Sequence, residues 1–372
     1  MDALRIKRVR EAMRKAGLEA VFVTNPKNVK YLTGFKTMLP GEVQSFGDPE
    51  GFALIHKNRC DFLCDGRYID GARQLPGVSA QLLDMPVNAK TIAARVKGLL
   101  PRGAKRVGFE RNAVLYSDGL ELAKYLKGVR LKPAEGLFAE LRECKTPGEV
   151  KMIRKAQAIT SDCFDHMLKF IRLGMSEREV ALEIDKFMRT NSEGNSFDPI
   201  VAFGETSCQP HYVPDAKRKL KKGQMVLLDF GAVYNGYCGD MTRMVFMGKA
   251  DARYRKVYNL VLEAQLKCLA AVKPGRTGHE LDMIVRDTFQ KNGCLENFLH
   301  GTGHGVGLAI HEDPRIKKGF KTRVEPGMAF SVEPGLYYSG WGGVRIEDLV
   351  VVTKTGRENI TRTTKKLIEL KG

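Results

Sequence analysis

The sequence predicts an α+β protein of two domains. A small α/β domain covers residues 1–135, a linker 136–148, and a larger, pseudo-symmetric α+β domain 149–372. Three observations support this. Up to about residue 135, amphipathic helical stretches alternate with short β-rich runs such as AVFVT, FALIH and VGFE. Pro147 and Gly148 then open a long helical pattern, with Thr146 as its cap and Glu149 at the capping-box position. Further on, FIRLGMSEREVALEIDKFM is echoed by AVKPGRTGHELDMIVRDTF, setting Gly174 against Gly275, Ser176 against Thr277 and Glu179 against Glu280. Each copy is a helix end, a glycine, a capping hydroxyl and a second amphipathic helix.

The 372 residues, 43% hydrophobic, suffice for two sizeable cores. No apolar run reaches membrane-spanning length, so no membrane partner is expected. In MDALRIKRVREAMRKAGLEAVFV, Leu4, Val9, Met13 and Leu18 recur near helical spacing among charges. That is unlike the continuous apolar core of a signal peptide, and a cytoplasmic location is expected. The eight cysteines are scattered, Cys60 and Cys64 lack CxxC spacing, and all are read as free thiols. The net charge is +18, locally dense at Lys217, Arg218, Lys219, Lys221 and Lys222. No aromatic-interleaved module accompanies it, so this reads as a solvated basic surface and no nucleic-acid partner is expected. Residues 40–50, PGEVQSFGDPE, read either as a lid or as a turn-rich loop.

Chemistry concentrates in four glycine-rich segments that hold Asp229, Asp240, His304, Glu333 and Glu347. If these converge, four carboxylates and an imidazole repel one another strongly enough to call for bound cations. In QMVLLDFGAVYNGYCGDMTRMVFM, Asn235-Gly236 signals a two-residue hairpin turn. Pairing Tyr234 with Tyr237 sets Gly231 opposite Asp240, so Asp229 and Asp240 become diagonal neighbours on one face. The bland alternative leaves both aspartates solvated on an edge hairpin.

His300, His304 and His311 lie among Gly301, Gly303, Gly305 and Gly307, which let backbone approach a metal or ligand closely. The spacing is not HExxH, whereas His56 and His166 read as ordinary packed histidines. Glu333 follows the strand-like MAFSV. In GGVRIEDLVVV, period-two alternation puts Arg345 and Glu347 on one face, where the arginine would hold the glutamate ionised or reach a substrate carboxylate. His211 sits in a stiff loop between Pro210 and Pro214. Cys208 reads as a buried small hydrophobe.

Together, PHYVP, DFGAVYNGYCGDMTR, HGTGHGVGLAIHEDP, SVEPGLY and RIEDLVVVT resemble the pita-bread metallopeptidases, the family of Xaa-Pro aminopeptidases, prolidases and methionine aminopeptidases. The N-terminal pieces VTNPKNVKYLTGF, CDGRYIDGARQ and LRECKTPGEVKMIRKA resemble its Xaa-Pro branch. The resemblance implies a creatinase-like N-terminal domain followed by a pita-bread catalytic domain, and a homodimer whose N-terminal domains help cover the sites. It also implies a dinuclear centre, with Asp229 and Asp240 on one ion, Asp240, His304 and Glu333 on the other, and Glu347 bridging. His211, His311 and Glu333 would then be catalytic, and His300, Tyr337 and Arg345 would shape the substrate pocket. ETSCQPHYVP departs from the commoner NSALPHAxP, which bears on the substrate subsite. Carboxylate-rich ligation favours Mn²⁺ or Co²⁺, with Zn²⁺ or Fe²⁺ as alternatives.

The activity so implied is hydrolysis, by metal-activated water, of the bond between an N-terminal residue and proline in proline-containing peptides. An Xaa-Pro dipeptidase is the rival within the enzyme class. A non-peptidase binding protein that reuses the fold is the rival outside it.

Overall fold

The β-branched and aromatic runs of the first domain assemble into one six-stranded sheet, with β1 (Ala20–Val23) and β3 (Cys60–Cys64) buried at every residue. The computed structural model describes residues 3–36 and 41–371. The chain runs through α1 (Ala3–Lys15), β1, α2 (Pro26–Thr33), β2 (Phe52–His56), β3, α3 (Ile69–Arg73), β4 (Ser79–Leu82), α4 (Ala89–Leu99), β5 (Arg106–Phe109), α5 (Tyr116–Tyr125) and β6 (Arg130–Pro133). The strand order is β4-β3-β2-β1-β5-β6, antiparallel at β1–β2 and β2–β3 and parallel elsewhere.

The N-terminal helix forms as expected, but its buried stripe is Ile6, Val9 and Met13; Leu4 is 52% exposed and Leu18 lies beyond the helix end. Pro40 is outside the described residues. Residues 41–50 are a turn-rich loop anchored by the buried Gln44, whose Nε2 donates to Thr24 O at 2.7 Å and Gly51 O at 3.0 Å.

The chain divides into two compact units, Met1–Leu141 and Arg142–Gly372. The span read as a linker holds α6 (Glu135–Glu143) and the cap of α7 (Pro147–Phe170). Thr146 and Glu149 exchange both bonds of a capping box, a device worth about 1 kcal/mol. The second unit continues with α8 (Glu177–Asn191), β7 (Ile200–Phe203), β8 (Met225–Phe230), β9 (Val233–Tyr234), β10 (Tyr237–Cys238) and β11 (Met241–Met247). Then come α9 (Ala252–Ala271), α10 (Gly278–Lys291), β12 (Gly303–Gly305), β13 (Glu312–Ile316) and β14 (Ala329–Val332). The chain ends with β15 (Gly335–Tyr338), β16 (Gly342–Arg345), β17 (Asp348–Val352), β18 (Arg357–Asn359) and β19 (Ile368–Leu370).

Two sheets carry this unit, β19-β11-β8-β7 and β13-β12-β14-β17-β18. Along β8 the pleat alternates: Val226, Leu228 and Phe230 join the core under α7 and α8, whereas Met225 and Leu227 join the core under α9 and α10. The sequence echo is structural. Ser176 and Thr277 each close a capping box, on α8 and α10. Gly174 N donates to Leu220 O and Gly275 N to Val324 O, both at 2.9 Å. All eight cysteines are free, and no helix among the described residues is long and apolar enough to cross a membrane.

The hairpin register also holds. Tyr237 pairs with Tyr234, and Asn235 and Gly236 take φ of 53° and 77°, the type I′ combination. The same register runs on into β8 and β11, where Thr242 faces Asp229. Glycine is required at 231, because a Cβ there would lie 1.9 Å from Gly239 O. Gly231→Ala is expected to cost about 1–3 kcal/mol through overpacking. Urea denaturation measures it, and an unchanged midpoint would contradict this packing.

Candidate metal centre

Strand ends, not loop tips, carry the acidic groups. Asp229 is the last residue but one of β8, Asp240 precedes β11, Glu333 follows β14 and Glu347 precedes β17, while His304 lies within β12. Ligand atoms of Asp240, His304 and Glu347 lie within 4.8 Å of one another. His304 Nε2 stands 3.1 Å from Glu333 Oε1 and 3.6 Å from Asp240 Oδ2. Its Nδ1 faces Gly305 O at 3.2 Å, a contact that would keep a proton on Nδ1 and leave Nε2 to ligate once a cation enters, whereas without a cation Nε2 hydrogen-bonds Glu333.

The donor set fits divalent cations. Asp229 Oδ1, Asp240 Oδ1 and Glu347 Oε1 are buried without a hydrogen-bond partner among the described residues, a costly state that a cation relieves. Burial, and then the neighbouring carboxylate charges, push Asp240 and Glu347 well above the usual carboxylate range. Burial raises Asp229 as well, against the pull of Arg345. Burial alone would raise Glu333 too, but the His304 hydrogen bond and charge outweigh it and hold this carboxyl at about 2.

Neighbouring residues fix the ligands. Thr242 Oγ1 donates to Glu347 Oε2 at 2.7 Å and accepts from Arg345 Nε at 2.9 Å. Ser331 Oγ donates to Glu333 Oε1 at 2.9 Å and accepts from His304 N at 3.0 Å. The buried Gln157 amide grips the peptide of Asp240 on both sides, accepting from its N and donating to its O, each at 2.9 Å. Thr242 was within reach of sequence reasoning, since the register that relates Asp229 to Asp240 also sets Thr242 opposite Asp229. Gln157 had no such signal; it is one amide on the buried side of a 24-residue helix.

Two readings change. Arg345 and Glu347 do share a face, but the strand breaks between β16 and β17, and the guanidinium pairs with Asp229 Oδ2 instead of Glu347. Its Nη1 donates to Tyr337 OH at 2.8 Å. Arg345, whose Nη1 also reaches Pro210 O at 3.5 Å, is thus tied to Asp229, Thr242 and Tyr337 and is 3% exposed where it lines the cleft. The glycines of the 301–307 loop serve strand packing rather than ligand approach: a Cβ at Gly303 would lie 1.9 Å from Ser331 O, and one at Gly305 2.2 Å from Asp313 O.

The centre opens into a cleft of about 770 Å³ lined by His211, His300, His304, His311, Arg315, Lys317 and Arg345 among others. His211 is exposed at this cleft and Cys208 nearby is half-buried. The His311 and His304 rings are 4.3 Å apart, and burial followed by the His304 charge pushes His311 down to about 4. His311 is thus a neutral imidazole at neutral pH. His300 has both nitrogens engaged, Nδ1 with Gly301 O at 2.7 Å and Nε2 with Tyr337 OH at 2.8 Å. His56 and His166 lie outside the cleft.

Comparison with known proteins agrees with this geometry. Residues 5–144 match the creatinase/prolidase N-terminal domain, and residues 151–354 match metallopeptidase family M24. An Xaa-Pro dipeptidase from Bacillus anthracis has a solved structure similar to this one, with a TM-score of 0.90, 39% identity and 99% of each chain covered. An X-Pro aminopeptidase from Thermotoga maritima gives a TM-score of 0.85 at 29% identity, covering 96% of this chain and 99% of the other. An Xaa-Pro dipeptidase of Pyrococcus horikoshii is 32% identical over 366 residues, 98% of each chain.

Repulsion among the carboxylates gives a counterintuitive expectation. Asp240→Asn removes a buried charge, so the metal-free variant should melt at or above the wild-type temperature, yet its Mn²⁺-induced rise in Tm should largely vanish. Differential scanning calorimetry with and without Mn²⁺ decides; an intact metal-induced shift would exclude Asp240 as a ligand.

Proposed function

The chain belongs to metallopeptidase family M24, and from that premise we propose that it hydrolyses the peptide bond between an N-terminal residue and proline, using two divalent ions. The observation that carries this reading is the convergence of Asp229, Asp240, His304, Glu333 and Glu347 with three partnerless carboxylate oxygens at the floor of an open cleft. We assign one ion to Asp229 and Asp240, the second to Asp240, His304 and Glu333, with Glu347 bridging. When bound, such ions supply an acidified water and a Lewis-acid contact for the carbonyl oxygen. The all-carboxylate-and-imidazole donor set suits Mn²⁺ or Co²⁺.

The protein's own groups do the rest. In this reading Glu333, held ionised by His304, takes the proton of the attacking water and passes it to the departing proline nitrogen. His311, neutral and beside His304, donates a hydrogen bond toward the oxygen that becomes negative, and His211 does so from the cleft mouth. His300, Tyr337 and Arg345 act in series: the Nδ1 proton of His300 goes to Gly301 O, so Tyr337 donates to Nε2 and accepts from Arg345, which in turn orients Asp229. Burial pushes the Tyr337 phenol up to about 12, which keeps its proton in place for this chain.

One observation favours the dipeptidase form over the aminopeptidase form. With Arg345 buried against Asp229, the more exposed cations along the cleft are Arg315, 36% exposed at its side chain and only loosely paired with Asp313 at 3.7 Å, and Lys317. Either suits the free carboxylate of an Xaa-Pro dipeptide.

Release of glycine from Gly-Pro and of the first residue from a longer Xaa-Pro-Xaa peptide, with Mn²⁺, Co²⁺ or Zn²⁺ in parallel, tests both levels. Gly-Pro cleavage is expected, and Arg315→Gln with Lys317→Gln should raise its KM about tenfold or more with little change in kcat. Efficient cleavage of the longer peptide would restore the aminopeptidase reading. No cleavage with any metal would favour a binding protein.

A further inference from the structure

Apart from Arg345 the acidic centre pairs with little of the chain's basic excess, and part of that excess lines a groove in the first unit. This cavity, about 1190 Å³, runs beside α1 and is floored by Ile6, Met13, Leu18, Pro76 and Pro101. Lys7, Arg10 and Arg14 rise along one wall, three and four residues apart and therefore on one stripe of the helix. Lys57, from the β2–β3 turn, and Arg106, at the start of β5, line the same groove.

Two acids also line it, Glu11 and Glu19. The Glu19 carboxylate is used locally, accepting from Lys105 N at 2.8 Å and Arg106 N at 2.7 Å, with the Arg106 guanidinium 4.0 Å away. Arg10 Nε donates to His56 O at 3.1 Å. Lys7, Arg14 and Lys57 are exposed and form no ion pair among the described residues. A groove with an apolar floor and uncompensated cations on both sides is complementary to a chain that alternates acidic and apolar side chains.

We propose that this groove is a docking site for an acidic polypeptide segment bearing apolar side chains. Nucleic acid fits less well, because among the described residues no aromatic side chain lines the groove to stack a base and the floor is apolar where a phosphodiester would need donors. A peptide meets both features, burying its apolar side chains on the floor and setting its carboxylates against Lys7, Arg14 and Lys57.

Fluorescence anisotropy on the full chain tests this, with an N-acetylated, fluorescein-labelled peptide of alternating Glu and Leu. The peptide has neither a free N-terminus nor proline, so binding is read independently of peptidase activity. Saturable binding is expected, tighter than that of an equally long polyglutamate and weakened by salt. The Lys7→Glu, Arg14→Glu, Lys57→Glu triple variant should bind at least about tenfold more weakly at an unchanged Tm. Equal binding of polyglutamate, tighter binding of an RNA oligonucleotide, or an unaffected triple variant would each overturn the proposal. So would a variant whose main change on gel filtration is its oligomeric state, since that assigns the groove to a second copy of the chain.

Discussion

Mutual repulsion among three buried carboxylates and the partly buried Glu333 is the constraint on which the second unit depends. Like charges removed from water interact several times more strongly than at a surface, and no nearby side chain neutralises them all. Arg345 serves Asp229 and His304 serves Glu333, while Asp240 and Glu347 are left facing each other's charge. The polypeptide must therefore hold the cluster together against its own electrostatics until cations enter. The ligands are accordingly anchored through their backbone as well as their side chains: Gln157 holds the Asp240 peptide, and Glu347 N donates to Thr242 O at 3.2 Å.

Pseudo-symmetry supplies the framework at little cost in sequence. In each half a helix pair, turned at Gly174 or Gly275, packs on a strand with an acidic residue at its C-terminal end, Asp229 in the last two residues of β8 or Glu333 just after β14. In each half the pairing strand also begins beside one, Asp240 before β11 and Glu347 before β17. The strands meet at matching glycines, with Gly223 N on Met247 O at 2.7 Å and Gly327 N on Val352 O at 2.9 Å. Two copies of one strand pair thus deliver four carboxylates, and β12 adds the imidazole. The halves then diverge where the chemistry is asymmetric: the first closes with the tight Asn235-Gly236 hairpin, the second with the longer β15–β16 ribbon that carries Tyr337 and Arg345.

Legibility followed locality. The Asn235-Gly236 turn encodes its own register, so the neighbourhood of Asp229 and Asp240 was readable from a few residues. Helix caps at Thr146, Ser176 and Thr277 were readable for the same reason. Partners distant in sequence were not. No local pattern announces that Gln157 meets Asp240, or that the run from Gly342 to Val352 breaks into two strands of different sheets after Arg345. That break decides which acid the arginine serves, because period-two alternation specifies a face but not the strand lying across from it. The glycines around His304 were similarly ambiguous: the same composition suits a ligand-binding loop and strands in close approach, and only the positions of Ser331 O and Asp313 O distinguish them.

Charge plays two physically separate roles in this molecule. At the centre the acidic groups are withdrawn from water, so added monovalent salt screens them weakly and local geometry sets how strongly they act on one another. Along the groove beside α1 the charge is positive and exposed, within reach of screening by every ion in solution. Composition sums every charge in the chain and reports only the net, +18, which says nothing of a carboxylate-lined cavity. A protein with a basic surface can therefore hold an acidic core site without contradiction, because the dielectric environment, rather than net charge, decides which charges act on one another.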